Sequence, residues 1–265
     1  MIEQSNKNNQ TEERTLTPIK NIKQLVNSYQ VAKAIVTIRN SEKQKLSEQL
    51  QKKIPLPLIP EDSPYMKAFT DFSRVVNYNI TFCCIAKIAI EDVYNYNFKD
   101  DKSITTISSE VSHLSDLSSY SKLSKVSLYN HTLNVFNIAI EKGKVKRRTL
   151  QIGIPILASL LHDFGKSSQL REELLGSVNG SRGSAYKPHP EVSKMYVAEI
   201  LSKRLNKEFN LSPYETIETL EKLVEFHHTT LKNLLSDNGI VFVKDCDLIA
   251  RKKELQQIKK NEDED

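Results

Sequence analysis

Histidine is the residue type whose placement in this sequence suggests chemistry. The chain of 265 residues contains 6 histidines. All but one lie in the second half, at or near the ends of segments with helical patterning: His131, His162, His189, His227 and His228. Apolar residues surround them, and an unpaired imidazole in a core is costly. We therefore expect these histidines to share one polar site.

A carboxylate accompanies the histidines, because Asp163 follows His162 directly. Imidazole and carboxylate ligands together suit divalent ions such as Mn, Fe, Co or Zn. Several imidazoles around one bridging carboxylate can hold two ions roughly 3.5–4 Å apart. Adjacent residues of a regular helix face different directions, so His162 and Asp163 reach one site only where the helix ends. Gly165 is predicted to provide that end.

Helices are the elements predicted to position these residues. The sequence has 7 glycines and no tryptophan, which favours an α protein over a sandwich or barrel. Helical patterning in the second half covers residues 124–142, 149–164, 190–208, 213–235 and 240–260. Between or at the ends of these segments lie the turn signals Gly143, Gly165, Asn210, Pro213 and Gly239.

The first half is predicted to be helical but contributes none of these residues. It comprises one long or two short helices from Pro18, a proline-containing hinge at 54–64 and a second helical block at 65–97. Residues rich in Ser, Asp and Lys follow, and we expect a surface loop and a domain boundary there. The predicted divisions are a disordered tail at 1–16, an N-terminal helical region at 17–97, a linker at 98–122, a helical domain at 123–260 and a charged tail at 261–265.

Composition and charge place the protein in the cytoplasm without a membrane partner. The first residues are polar and lack the apolar stretch of a secretory signal. The longest apolar run, from Ile80 to Ile90, is interrupted by Lys87 and is too short to span a membrane. Cys83, Cys84 and Cys246 have no metal-ligand spacing and are expected in the core. The net charge of +5 permits a nucleic-acid partner without requiring one.

The order of the motifs resembles the HD-domain superfamily of metal-dependent phosphohydrolases, which is named for its consecutive His-Asp ligand pair. The matching motifs are NHTLNV, LLHDFGK, KPHPEVS and EFHH, followed by an aspartate in an apolar helical segment. The resemblance covers residues 124–255. It implies an all-α fold, an HD-domain helical bundle, here with an additional N-terminal helical region.

The resemblance also implies a ligand set for two metal ions. His131 and His162 would be the first two ligands, and Asp163 would bridge the ions. His189 and His227 would complete the second ion.

The last implied ligand is an aspartate, and both Asp245 and Asp247 are available in VKDCDLIAR. Asp247 is favoured because it shares one helix face with Val243, Ala250 and Glu254. It also follows a small residue, Cys246, as the family aspartate often does. Asp245 stays as the alternative.

Two further residues, Lys166 and His228, receive catalytic roles beside Asp163. Lys166 resembles the lysine that many HD enzymes place next to the phosphate, with Lys187 and Arg182 as weaker candidates for that task. His228 would be an outer group, an acid for the leaving oxygen or a packed residue.

The implied function is hydrolysis of a phosphoester of a nucleotide or related small molecule by a metal-activated water. Against a cyclic-dinucleotide diesterase of the HD-GYP type, TTLKN replaces the GYP motif and Ser127 replaces a glutamate. One alternative is an HD-type nuclease or conjugation-related DNA-processing protein, suggested by KGKVKRR at 142–148 and a pI near 8.9. Another is a non-catalytic metal-binding HD scaffold, suggested by the unassigned first 122 residues.

Overall fold

The computed structural model of the protein describes residues 22–104, 121–145, 152–176, 187–229 and 237–264. Within these ranges the chain is mostly helical and has no β-strand, which confirms the predicted all-α class. No helix in the ranges has the length and apolar character needed to cross a bilayer. The predicted tail at 1–16 and Arg182 lie outside the described residues.

The described helices are α1 (Ile22–Gln51), α2 (Pro64–Val75), α3 (Ile80–Asn95), α4 (Leu128–Val145), α5 (Gly153–Leu161), α6 (Ser168–Leu175), α7 (His189–Met195), α8 (Ser202–Phe209), α9 (Tyr214–Phe226) and α10 (Asn238–Glu264). A 3-10 turn, Phe164–Lys166, follows α5, and a π-helical segment, Tyr196–Leu201, joins α7 to α8. Each of the five segments predicted in the second half contains helix within the described residues. Residues 261–264, predicted as a tail, belong to α10 instead.

The chain divides into two compact units, Met1–Gln49 and Leu50–Asp265. The first contains nearly all of α1, which is one continuous helix of 30 residues. In the second, α2 packs on α4 and α3 packs on α5. The boundary between units therefore falls at residue 49, whereas the sequence placed a domain boundary at 98–122.

The helical block predicted at 65–97 is interrupted between α2 and α3. Asn77 and Tyr78 have positive φ angles of 51° and 56°, which are incompatible with a right-handed helix. The Asn79 side chain then accepts a hydrogen bond from the Phe82 backbone N–H, 3.1 Å away, and caps α3. The prediction of one block was wrong because this local turn overrides the apolar pattern.

Helix α5 forms the centre of the larger unit. Its residues from Ile156 to Leu161 are fully buried, and it contacts α3, α4, α9 and α10. A helix that is apolar all round is stable only inside a core. Its C-terminal end therefore delivers the next two residues, His162 and Asp163, to the interior. The three cysteines are also buried and free, as predicted: Cys83, Cys84 and Cys246.

The start of the predicted linker is exposed in part, at Lys99, Asp100 and Lys102, but it also contains buried residues. Phe98 is fully buried and packs edge-on against Phe164, with ring centroids 4.9 Å apart. Ser103 is also fully buried, and its N–H donates to the Val126 carbonyl oxygen at 3.0 Å. The predicted surface loop is therefore wrong for Phe98 and Ser103, because the polar groups of Ser103 are satisfied inside the protein, whereas Lys99, Asp100 and Lys102 are exposed. Residues 105–120 of that stretch, which include His113, lie outside the described residues.

A buried ion-pair network joins α3 to the helix formed by α7, the π segment and α8. The Asp92 carboxylate accepts from the Tyr196 hydroxyl at 2.7 Å and from Arg204. Arg204 also donates to Glu91 at 3.1 Å. Burial raises the pKa of Asp92, and its bonds to Tyr196 and Arg204 only partly counter this effect. The ionised Asp92 therefore depends on Arg204.

We predict that Arg204→Met lowers the free energy of unfolding by about 2–3 kcal/mol at neutral pH, because it leaves a buried carboxylate without its cation. The substitution raises the folded-state pKa of Asp92 further. A raised carboxyl pKa lowers the free energy of unfolding at pH values above that pKa. The loss disappears at a pH low enough to protonate the carboxyl in both the folded and the unfolded state. The loss should therefore shrink toward pH 4, as urea unfolding at both pH values would show. Lys203→Met is the control, since no described residue pairs with Lys203; an equal loss there would contradict the prediction.

Candidate metal centre

Asp163 lies at the centre of the histidines, with its side chain 1% exposed. Its Oδ2 atom is 3.4 Å from the Nε2 atoms of both His131 and His162. Its Oδ1 atom is 3.2 Å from His189 Nε2 and 3.8 Å from His227 Nε2. The two oxygens of one carboxylate therefore face two different pairs of imidazoles.

Two groups of side chains around Asp163 could each hold a metal ion. In each group the candidate ligand atoms lie within 4.8 Å of one another. The first group is His131, His162 and Asp247, and the second is Asp163, His189, His227 and His228. All six residues implied as metal ligands therefore lie in these two groups, and the second group also contains His228.

The imidazoles are oriented by bonds to their Nδ1 atoms. Nδ1 of His162 is 2.9 Å from the Ser159 carbonyl oxygen, and Nδ1 of His227 is 2.6 Å from that of Val224. Because a carbonyl oxygen only accepts, both Nδ1 atoms must carry the hydrogen. In the neutral ring, the Nε2 lone pair then points at the centre. This orientation is the one that metal-bound histidines adopt.

Several of the converging atoms have no hydrogen-bond partner among the described residues. A buried polar atom without a partner costs about 1–3 kcal/mol, so a cluster of them calls for an explanation. A divalent cation would satisfy all of them, because each is a lone-pair donor. The atoms are His131 Nε2, His162 Nε2, His227 Nε2, Asp163 Oδ1 and Asp247 Oδ1. This donor set fits a transition-metal ion.

The protonation states of the second group also suit a cation. Burial lowers the pKa of His227 well below its usual value, and the neighbouring histidines His228, His162 and His189 lower it further. His227 is therefore neutral, as a ligand must be.

The carboxylates of Asp163 and Asp247, one from each group, remain ionised although burial opposes their charge. Burial opposes the charge on Asp163, but His162, Lys166 and His131 outweigh burial and hold the pKa of Asp163 well below its usual range. The pKa of Asp247 is also lowered well below its usual range, because His131 and neighbouring cations outweigh burial.

His131 lies among these carboxylates. Burial and Arg251 oppose a proton on its ring, yet Glu254, Asp163 and Asp247 raise the pKa of His131 to about 10. The carboxylate cluster thus stabilises positive charge at this position, and a bound metal ion would supply that charge in place of the proton.

The two candidate aspartates of α10 lie in different environments. Asp247 Oδ1 is 3.1 Å from His131 Nε2. The Asp245 side chain is 57% exposed and pairs with Lys142 at 3.3 Å. Residues two apart on a helix do not share a face. The structure therefore brings Asp247 to the cluster and leaves Asp245 at the surface.

The residues predicted as catalytic are also placed by the structure. Lys166 Nζ donates to Asp163 Oδ2 and to the Ser103 carbonyl oxygen, both at 2.9 Å, and its side chain is 1% exposed. His228 Nε2 is 3.1 Å from His189 Nε2. His228 is thus one of the side chains of the second candidate group. Lys187, the alternative to Lys166, pairs with Glu191.

Two residues of α10 reach the site without having been given a role from the sequence. Glu254 is buried and lies 3.0 Å from His131 Nδ1, so it orients that ring. Arg251 lies within 4 Å of Asp163, Asp247 and Glu254. The signal that could have identified both is their spacing, four and seven residues after Asp247, which places all three on one helix face.

Gly165 permits α7 to approach His162 and Asp163 closely. Its N–H donates to Ser193 Oγ at 2.8 Å, and that hydroxyl donates to the His162 carbonyl oxygen at 2.8 Å. An added Cβ would lie 2.0 Å from the His189 carbonyl oxygen. The expected role as a helix stop was wrong, since α5 ends at Leu161 and Gly165 lies in the following 3-10 turn.

Comparisons of the chain with protein-family models, with curated proteins and with solved structures returned no match. The geometry of the centre is therefore the basis for the function proposed below.

We predict that Gly165→Ala moves α7 and weakens metal binding, because its methyl group would overlap the His189 carbonyl oxygen. Overpacking of this kind costs about 1–3 kcal/mol. Thermal unfolding should detect the loss, and elemental analysis should show less metal. Gly176→Ala is the comparison: its φ of +79° strains alanine, but no atom lies within 4 Å. Equal metal content in both variants would contradict the prediction.

We also predict that Asp247→Asn lowers the affinity for metal at least tenfold, because an amide oxygen is a weaker ligand than a carboxylate. Titration of the metal-free protein with Mn or Zn would measure the change. Asp245→Asn is the matched control, two residues away on the same helix, and should bind like the wild type. The reverse result would make Asp245 the ligand.

Proposed function

We propose that this chain is a metal-dependent phosphohydrolase of the HD type, which hydrolyses a phosphoester of a nucleotide or related small molecule with a metal-activated water. The observation that carries the proposal is the arrangement around Asp163. One buried carboxylate directs its two oxygens at separate groups of imidazoles whose Nε2 atoms converge on it. A carboxylate in this position is suited to bridge two cations.

The proposed cofactor is a pair of divalent ions, of Mn, Fe, Co or Zn. His131, His162 and Asp247 would hold one ion, and His189, His227 and His228 the other, with Asp163 shared between them. Bound at this position, such ions supply Lewis acidity toward a phosphate and lower the pKa of a water toward neutrality. His228 is thus assigned as a ligand, because its Nε2 atom lies beside His189 Nε2.

The residues of the chain supply the fixed geometry that this chemistry needs. Each oriented imidazole keeps one nitrogen directed at the centre, so few ligand positions have to reorganise during the reaction. Lys166 is a positioning residue, since its ammonium is shared between Asp163 and the Ser103 carbonyl. Asp247, Arg251 and His228 are the partly exposed members of the site. A substrate would therefore enter along their side of the cluster.

The nucleic-acid alternative has weaker support from the described residues. In the basic run at 142–148, Lys142 pairs with Asp245 and Lys144 pairs with Glu141. Paired lysines offer less charge to a phosphate backbone. The non-catalytic scaffold shares the ligands of the proposed enzyme, so only an activity measurement separates those two.

The test combines metal analysis with a substrate panel. The purified protein should contain about two metal ions and hydrolyse at least one member of a panel of phosphomonoesters, cyclic nucleotides, deoxynucleoside triphosphates and single-stranded nucleic acids. Asp163→Asn should lower kcat/KM at least about 100-fold, because it removes the bridging charge. Asp245→Asn should retain activity. Bound metal without activity on any substrate would favour the scaffold, and preferred cleavage of nucleic acid would favour the nuclease.

A further inference from the structure

We propose that Arg251 is the residue that binds the phosphate group of the substrate, a task that the sequence assigned to Lys166. This inference rests on the proposed function and identifies the anion-binding group of the same site.

The guanidinium of Arg251 borders the space that the candidate ligand atoms surround. Its Nη2 atom is 3.8 Å from Asp163 Oδ2, and its Nε atom is 3.6 Å from Asp247 Oδ1. Its Nη1 atom is 3.5 Å from Glu254 Oε2. Because Asp163 and Asp247 belong to the proposed ligand set, a phosphate bound to ions at those carboxylates lies within reach of this cation.

A neutral residue holds the guanidinium in place. Arg251 Nη1 donates to Ser103 Oγ at 2.8 Å, and Nη2 donates to the Ser103 carbonyl oxygen at 2.9 Å. The carboxylates lie at 3.5–3.8 Å, beyond the usual length of a hydrogen bond. Among the described residues, Ser103 is thus the hydrogen-bond acceptor of Arg251, and it uses two of the five N–H donors. The remaining donors can bind the oxygens of a phosphate in the planar fork geometry that arginine favours.

Ser103 is a rigid support for this arrangement. It is fully buried, and its own N–H donates to the Val126 carbonyl oxygen at 3.0 Å. Its carbonyl oxygen accepts from both Lys166 Nζ and Arg251 Nη2 at 2.9 Å. The guanidinium is therefore fixed before a ligand arrives, which reduces the entropy lost on binding.

Lys166 and Arg251, which both donate to Ser103, differ in solvent exposure. The Lys166 side chain is 1% exposed, and its ammonium donates to Asp163. The Arg251 side chain is 15% exposed. A ligand from solvent can contact Arg251 while Asp163 and Lys166 stay paired, whereas contact with Lys166 would require that pair to open. Arg251 is therefore the substrate-contacting cation, and Lys166 positions the bridging carboxylate.

The test measures binding of inorganic phosphate to the metal-loaded full-length protein by calorimetry. Arg251→Gln should weaken phosphate binding roughly ten- to a hundredfold, which is the usual effect of losing charge-assisted hydrogen bonds. The phosphate affinity of Arg251→Lys should lie between those of the wild type and Arg251→Gln, because lysine keeps the positive charge but lacks the planar fork of donors. Lys252→Gln removes one charge from the exposed neighbouring position and should bind phosphate like the wild type. Metal content, measured in parallel, should be equal in all four proteins.

Each other outcome decides against the inference in a different way. Unchanged phosphate affinity in Arg251→Gln, with metals bound, overturns the role of Arg251 and leaves the proposed function standing. Loss of metal together with phosphate in Arg251→Gln also overturns it, because Arg251 would then support the ligand set. A wild-type protein that binds no metal after addition of Mn or Fe contradicts the proposed function itself. On the best substrate, the expected pattern is a higher KM in Arg251→Gln.

Discussion

The burial of the Asp163 carboxylate is the constraint on which the arrangement of the larger unit depends. An isolated carboxylate in an apolar core is so costly that it would protonate. Here histidines and a lysine surround it and keep it ionised. These partners come from separate parts of the chain, so α4, α5, α7 and α9 must converge on one point. The polar centre therefore dictates how the helices pack, as much as the apolar core does.

Two helices orient an imidazole at their C-terminal ends in the same way. His162 follows α5 and His227 follows α9, each as the first residue after its helix. Each ring bonds the carbonyl oxygen three residues earlier. Those carbonyls belong to the last turn of a helix, where backbone acceptors lack intrahelical partners. One interaction thus satisfies the helix end and fixes the direction of the ligand nitrogen.

The sequence allowed most helices of the second half and the members of the cluster to be predicted, because periodicity and ordered motifs are local signals. The short helix α6 was not predicted. It did not reveal what depends on three-dimensional proximity. The closeness of Gly165 to α7, the burial of Ser103 and the role of Arg251 follow from segments distant in sequence. The turn at Asn77 and Tyr78 was missed for another reason, since positive φ angles interrupt a pattern that remains apolar on both sides.

The π-helical segment Tyr196–Leu201 has a consequence for register. A π turn holds an extra residue. The side chains after it therefore point in directions shifted by one residue from those of an uninterrupted α-helix. The first part can direct His189 toward Asp163, while the second directs Arg204 toward Asp92. A regular α-helix of the same sequence would rotate one of these side chains by about 100° away from its partner. The wider turn thus lets one continuous helix serve two buried polar clusters.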